Sequence, residues 1–163
     1  MASHNKNLSD FAHMEVASAA PYRFGIIVSQ WNAEVTGRLL EGAFDTLKRY
    51  GGFEENIRIV QVPGSYELTS GADIVLRDKS LDAVICLGCV IQGETKHFDY
   101  ICSAVAHGIA NVALKHNKPV IFGVLTTDDL QQALDRAGGK HGNKGEEAAV
   151  TAIQMAALNA EIG

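Results

Sequence analysis

Ala83-Val84-Ile85-Cys86-Leu87-Gly88-Cys89-Val90-Ile91 is the longest nearly unbroken apolar run in the chain. It is far too short to cross a bilayer. Its apolar residues are continuous rather than alternating, so Ala83 to Val90 reads as a strand buried on both faces, the kind found in parallel sheets covered by helices. Cys86 and Cys89 within it spell C-x-x-C. Three residues along a strand span ~10 Å and place the two thiols on opposite faces, beyond the ~7 Å Cα separation a disulfide tolerates. No second pair completes a zinc site, so the two thiols are read as core packing.

On either side of this run the pattern alternates. Phe24 to Val28 is a strand. After Asn32, a plausible N-cap, Val35, Leu39, Ala43 and Leu47 recur every four residues, widened by Leu40 and Phe44. That stripe predicts a helix to Tyr50, ended by Gly51–Gly52. Ile57 to Val62 is the next strand, followed by the Pro63–Gly64–Ser65 turn and a helix to about Arg77. Beyond the central run comes a loop, Gln92–Thr95. A helix from about Lys96 to His116 follows, with Ile101, Val105, Ile109 and Val112 along one side. Val120 to Leu125 is a fourth strand, and a short helix ends near Arg136. Gly138 to Gly145 reads as a glycine- and lysine-rich loop, and a last helix spans about Glu146 to Ala160. Strands alternating with helices of this length imply βαβ crossovers. The expected fold is α/β, a three-layer αβα sandwich on a four-stranded parallel sheet, flavodoxin-like and doubly wound. Residues 1–20 form a polar N-terminal arm, mobile or docked on a partner, and residues 21–163 form one domain.

The 163 residues carry 14 basic and 19 acidic side chains, a formal net charge of −5. Nucleic acid and anionic membranes call for a basic footprint, so neither is expected as a partner. Three cysteines, an odd and low count, fit reduced thiols. The polar N-terminus lacks an apolar stretch resembling a signal peptide, and a cytoplasmic protein is expected.

Ligands of open parallel sheets bind beyond the carboxyl ends of the strands. Ser29–Asn32, Pro63–Glu67, Gln92–His97 and Leu125–Asp128 lie there. Trp31 is the only tryptophan; Tyr66 and Glu67 follow the Pro-Gly turn; Gly93, Thr95 and His97 lead a helix. A flat aromatic, a carboxylate, a hydroxyl and an imidazole on one rim suit a small planar, polar ligand. Gly93–Glu94–Thr95 can also hold an anion on the free N–H groups of the following helix. No Walker loop and no G-x-G-x-x-G fingerprint is present. Read singly, each residue has a plainer explanation. Trp31 could cover a strand end, Glu67 could be a helix-start charge, Thr95 could cap the long helix, and His97 could be solvated. Arg136 and Lys144 would ordinarily be a helix-end charge and a solvated loop lysine.

Five motifs in order carry a resemblance. They are Trp31–Asn32, Val62–Glu67 (VPGSYE), Leu87–Tyr100 (LGCVIQGETKHFDY), Phe122–Thr127 (FGVLTT) and Arg136–Gly145 (RAGGKHGNKG). Over about residues 22 to 160 the chain resembles the 6,7-dimethyl-8-ribityllumazine synthase family. The resemblance implies an enzyme of riboflavin biosynthesis, a transferase. It would condense 5-amino-6-(D-ribitylamino)uracil with 3,4-dihydroxy-2-butanone 4-phosphate without cofactor or metal, releasing phosphate and water. By the same resemblance Trp31 stacks on the pyrimidine, and Asn32 belongs to that pocket. Backbone groups of Val90 and Ile91 read the ring's polar edge, and Ser65, Tyr66 and Glu67 line the ribityl pocket. Gly93, Glu94 and Thr95 hold the phosphate, Arg136 closes on it, and His97 transfers protons. Phe122, Arg136 and Lys144 come from a neighbouring subunit.

The resemblance further implies a homopentamer, in some members a shell of twelve pentamers, and offers riboflavin synthase as a partner. Gln92 stands where a basic residue is common, Glu94 puts a carboxylate beside the anion site, and Ser65 replaces the usual alanine. Two other classes remain: a module that sequesters a lumazine or flavin without turnover, and a shell protein with a relict site. The presence of His97, Arg136 and Lys144 argues against both.

Overall fold

Four parallel strands are laid down in the order β2-β1-β3-β4, with helices on both faces. A computed structural model describes residues 9–11 and 13–163. The strands are β1 Phe24–Ser29, β2 Ile57–Val62, β3 Ala83–Ile91 and β4 Val120–Thr127. Helices α1 Ala33–Arg49, α2 Leu68–Val75 and α3 His97–His116 connect them, and α4 Leu130–Asp135 follows β4. Two short strands, β5 Ala137–Gly139 and β6 Gly142–Asn143, lead to α5 Lys144–Ile162. This is the expected three-layer, doubly wound arrangement.

The central strand decides the layering. Ala83, Ile85, Leu87 and Cys89 face α1 and α5, packing with Val35, Leu39, Ala149 and Ile153. Val84 and Cys86 face the other way, with Leu68, Ala72, Val105 and Ile109 of α2 and α3. Cys86 and Cys89 thus lie in different cores, as the strand period requires. Burial pushes the Cys86 thiol up to about 12 and that of Cys89 to about 11, so neither is a nucleophile near neutrality. The four-residue stripe of α1 also holds: Val35, Leu39, Ala43 and Leu47 are fully buried.

Three local expectations give way. Asn32 occupies the N-cap position of α1 but makes no side-chain cap bond, because its backbone is left-handed (φ 60°, ψ 46°) and not extended as capping requires. Gly138 to Gly145 is not a loop throughout. β5 and β6 pair antiparallel, with Gly138 at φ 98° and Gly142 at φ 86° turning the chain. Strands of three and two residues are too short to show a period. The last helix starts at Lys144, ahead of the expected Glu146, because the Asn143 side chain accepts from Gly145 N–H at 2.8 Å and caps it there.

Residues 1–8 and 12 of the expected arm lie outside the described residues. The described part docks on its own chain. Ser9 Oγ donates to Asn143 O at 3.0 Å and accepts from Asn143 N–H at 2.7 Å. Ala19 is buried and its N–H donates to Tyr50 O at 2.8 Å. Among the described residues no helix is long and apolar enough to cross a membrane.

Candidate active site

β1 and β3 are neighbours, yet their pairing ends at Val28 opposite Leu87, while β3 runs on to Ile91. On its other side β3 stays paired with β4 to the end, Ile91 opposite Thr127. Beyond Leu87, then, one edge of β3 has no strand beside it. This is the switch point of the sheet: α1 leaves β1 on one face, and α3 leaves β3 on the other. A crevice at such a point exposes backbone hydrogen-bonding groups without unfolding anything.

The crevice is a cleft of about 660 Å³ lined by the turns after β1 and β2, the end of β3 and the start of α3. Trp31 and Asn32 come from the turn after β1. Gly64, Ser65, Tyr66 and Glu67 come from the turn before α2, Cys89, Val90 and Ile91 from the end of β3, and His97 and Ile101 from α3. Trp31 is 74% exposed, a large apolar ring left open to solvent on the rim. Its backbone N–H donates to Pro63 O at 3.1 Å, which joins the first two loops.

Their floor is a single carbonyl. Asn32 Nδ2 donates to Cys89 O at 3.0 Å, and Ser65 Oγ reaches the same oxygen at 3.5 Å. The Ser65 turn comes this close only because position 88 is glycine. A Cβ there would lie 2.6 Å from Ser65 Oγ and 2.8 Å from Leu68 Cδ1. Glu67 has one carboxylate oxygen committed, since Oε2 accepts from Gly64 N–H at 3.0 Å and closes its own turn. Its helix-start role and its place on the cleft wall coexist.

Gly93, Glu94 and Thr95 sit exposed between β3 and α3 and are not part of the cleft wall. Thr95 Oγ1 accepts from the His97 N–H at 3.4 Å, a long helix-start contact. Phe122 is a half-buried member of the α2/α3 core on β4, and Arg136 and Lys144 lie around the β5–β6 hairpin. Within one chain none of these three lines the cleft. Three lining residues escaped the sequence reading as site residues: Gly64, Cys89 and Ile101. Ile101 was visible in principle, one helical turn beyond His97 on the same face. Cys89 was not, because its thiol faces the far core while its carbonyl faces the cleft. Among the described residues no group of three His, Cys, Asp or Glu side chains could hold a metal ion.

A doubly wound parallel sheet with an aromatic and an imidazole over the exposed end of its central strand defines an α/β protein built to bind a small molecule at its switch point. The family described as 6,7-dimethyl-8-ribityllumazine synthase matches residues 21–160. A relative of that name from Cytophaga hutchinsonii is 57% identical, over 96% of this chain and 98% of its own. Another from Parabacteroides distasonis is 52% identical over 98% and 100%, and one from Aquifex aeolicus is 52% identical over 86% and 92%. The chain belongs to the 6,7-dimethyl-8-ribityllumazine synthase family. It is an enzyme of riboflavin biosynthesis, a transferase by its reaction.

Proposed function

We propose that this chain condenses 5-amino-6-(D-ribitylamino)uracil with 3,4-dihydroxy-2-butanone 4-phosphate, and that the cleft described above is where it does so. The observation that carries this assignment of the site is that Trp31, His97 and the unpaired edge of β3 line one cleft. The indole offers a face on which the pyrimidine stacks. Val90 and Ile91 backbone groups, free of a strand partner on that side, read the ring's polar edge. Asn32, Ser65, Tyr66 and Glu67 hold the pyrimidine and its ribityl chain.

The aryl amine attacks the ketone, water leaves and a Schiff base forms. Phosphate is then eliminated and the ring closes with loss of water. His97 stands at the cleft to take and return protons, which an imidazole does near neutrality. Gly93, Glu94 and Thr95 present helix-start N–H groups to the phosphate, and the exposed position of that loop supports this. Glu94 is tolerable there with its side chain turned away. Most of the acceleration comes from holding two substrates in register, an effect worth up to ~7–11 kcal/mol. No cofactor is required.

Phe122, Arg136 and Lys144 complete the site from a neighbouring copy, in a homopentamer that some family members extend to a shell. Their absence from the cleft of a single chain supports a shared site. The same reading keeps residues 21–163 as one domain, places the protein in the cytoplasm, and leaves riboflavin synthase as a candidate partner. The test is direct. Both substrates are mixed with purified protein and the coloured product is followed by absorbance; no product from folded, assembled protein would reject the proposal.

A further inference from the structure

We infer that Thr36 is a positioning residue, whose buried hydroxyl holds the Trp31 turn where the indole receives the pyrimidine; this rests on the proposed reading of Trp31 as the stacking face. The indole is 74% exposed, so packing within the chain does not set where it stands. Its position comes from the backbone that carries it.

That backbone is the turn 30–32 between β1 and α1. On the β2 side it is fastened twice: Gln30 N–H donates to Val62 O at 2.8 Å, and Trp31 N–H to Pro63 O at 3.1 Å. Successive residues of a strand turn their backbone groups to opposite edges, so Ser29, one before Gln30, presents its carbonyl to the β3 edge. β3 offers no further rung there, because its pairing with β1 ends at Val28 opposite Leu87. Thr36 takes that place. Its Oγ1 donates to Ser29 O at 2.8 Å, and Thr36 and Ser29 are only 2% and 1% exposed. Four residues earlier, Asn32 Nδ2 donates to Cys89 O at 3.0 Å. Two side chains at the start of α1 thus satisfy carbonyls of β1 and β3 where the ladder between them stops. The strands part beyond Leu87, and the cleft opens between them with Trp31 on its rim.

The chemistry of the side chain at 36 is used once. The buried stripe of Val35, Leu39, Ala43 and Leu47 already fastens α1 to the sheet. Valine at 36 would fill nearly the same space; threonine adds one donor, and that donor goes to Ser29 O, with Asn32 O as a longer contact at 3.4 Å. A buried acceptor deprived of its donor is costly, and the chain shifts to satisfy it. The segment that shifts is the turn carrying the indole. The anion loop at 93–95 stands apart, between β3 and α3. Loss of the hydroxyl therefore disturbs one substrate and spares the other, which a general loss of stability does not do.

The test is on the assembled enzyme, with the KM of each substrate and the thermal midpoint recorded for T36V, T36S, T36A and W31A. Time-resolved fluorescence anisotropy of Trp31, the only tryptophan, is recorded for the three variants at 36. T36V is expected to raise the KM for 5-amino-6-(D-ribitylamino)uracil about tenfold and to increase the local motion of Trp31. The KM for 3,4-dihydroxy-2-butanone 4-phosphate is expected to change less than about twofold. T36S keeps the donor and is expected to return the pyrimidine KM to within about twofold of the parent. T36A also loses the donor and decides the question if T36V does not assemble. An unchanged pyrimidine KM in T36V and T36A beside a raised one in W31A overturns the inference and leaves the reading of the site intact, whatever the thermal midpoint does. An equal rise in both KM values, or a T36S enzyme as impaired as T36V, also overturns it. An unchanged pyrimidine KM in W31A removes Trp31 from the pyrimidine site, and the inference falls with it.

Discussion

Asn32 Nδ2 donates to the Cys89 carbonyl oxygen at 3.0 Å, tying the turn after β1 to the end of β3 across the switch point of the sheet. Asn32 does not cap its own helix; its side chain reaches across to the neighbouring strand instead. Its backbone is left-handed, a conformation that asparagine tolerates better than most residues, and its amide is spent on a neighbouring strand. Asn32→Gly keeps the backbone relaxed and loses the bond; Asn32→Ala loses the bond and adds backbone strain. Chemical denaturation is expected to show Asn32→Ala less stable than Asn32→Gly by ~1 kcal/mol, both below the parent. Equal stabilities would mean that the left-handed turn relaxes without cost.

His97 begins α3, and its side chain stands on the cleft wall beside Ile101. His97→Ala is expected to lower kcat by up to about 10²-fold and leave pyrimidine binding nearly intact. Product absorbance gives the rate, and fluorescence quenching of Trp31 by the pyrimidine gives the affinity. Lost binding in a folded variant would contradict a proton-transfer role.

Asp73 holds the far end of α3. Its Oδ1 accepts from Lys115 Nζ at 2.6 Å and lies 2.9 Å from His116 Nε2. Those bonds, Lys115 first, hold its carboxyl at about 2, well below the usual carboxylate range. A depressed carboxylate favours the folded state above its unfolded pKa and loses that contribution as pH falls toward the folded one. The stabilisation is therefore full above about pH 4 and fades between about pH 4 and 2. Asp73→Asn is expected to flatten the acid limb of a stability–pH curve in that window. An unchanged acid limb would show that the pair contributes nothing in solution.

Cys86 and Cys89 lie in separate buried cores with thiols pushed far up, whereas Cys102 is half-buried. Iodoacetamide at about pH 8 is expected to leave Cys86 and Cys89 unmodified in native protein and to label all three after unfolding, as read by peptide mass spectrometry. Native labelling of either strand cysteine would mean that β3 opens readily.

The fold was largely legible, and for a definite reason. Uninterrupted apolar runs such as Ala83–Ile91 announce strands buried on both faces, and the stripe from Val35 to Leu47 announces a helix with one side inward. Both signals are local and periodic. The cleft wall was legible in part: Trp31, Tyr66, Glu67 and His97 are out of place in plain turns, and they do share one cleft. The β5–β6 hairpin was not legible, since its pairing covers too few residues to show a period. Nor was the docking of Ser9 on Asn143, which joins distant parts of the chain through backbone groups that every residue possesses.

The residue order alone determined where the four strands of the main sheet and the long helices run, that Cys86 and Cys89 point apart, and that Trp31, Tyr66, Glu67 and His97 stand in turns or helix starts at one end of the sheet. These follow from side-chain periods of about 2 and 3.6 residues, which need no knowledge of the rest of the chain. Only the tertiary structure decided that β3 outruns β1 and leaves an unpaired edge, that Asn32 and Ser65 share the Cys89 carbonyl, and that one carboxylate, Glu147, lies between Arg136 and Lys144. Each of these depends on the register of strands and the approach of separate helices, quantities set by packing across the whole molecule.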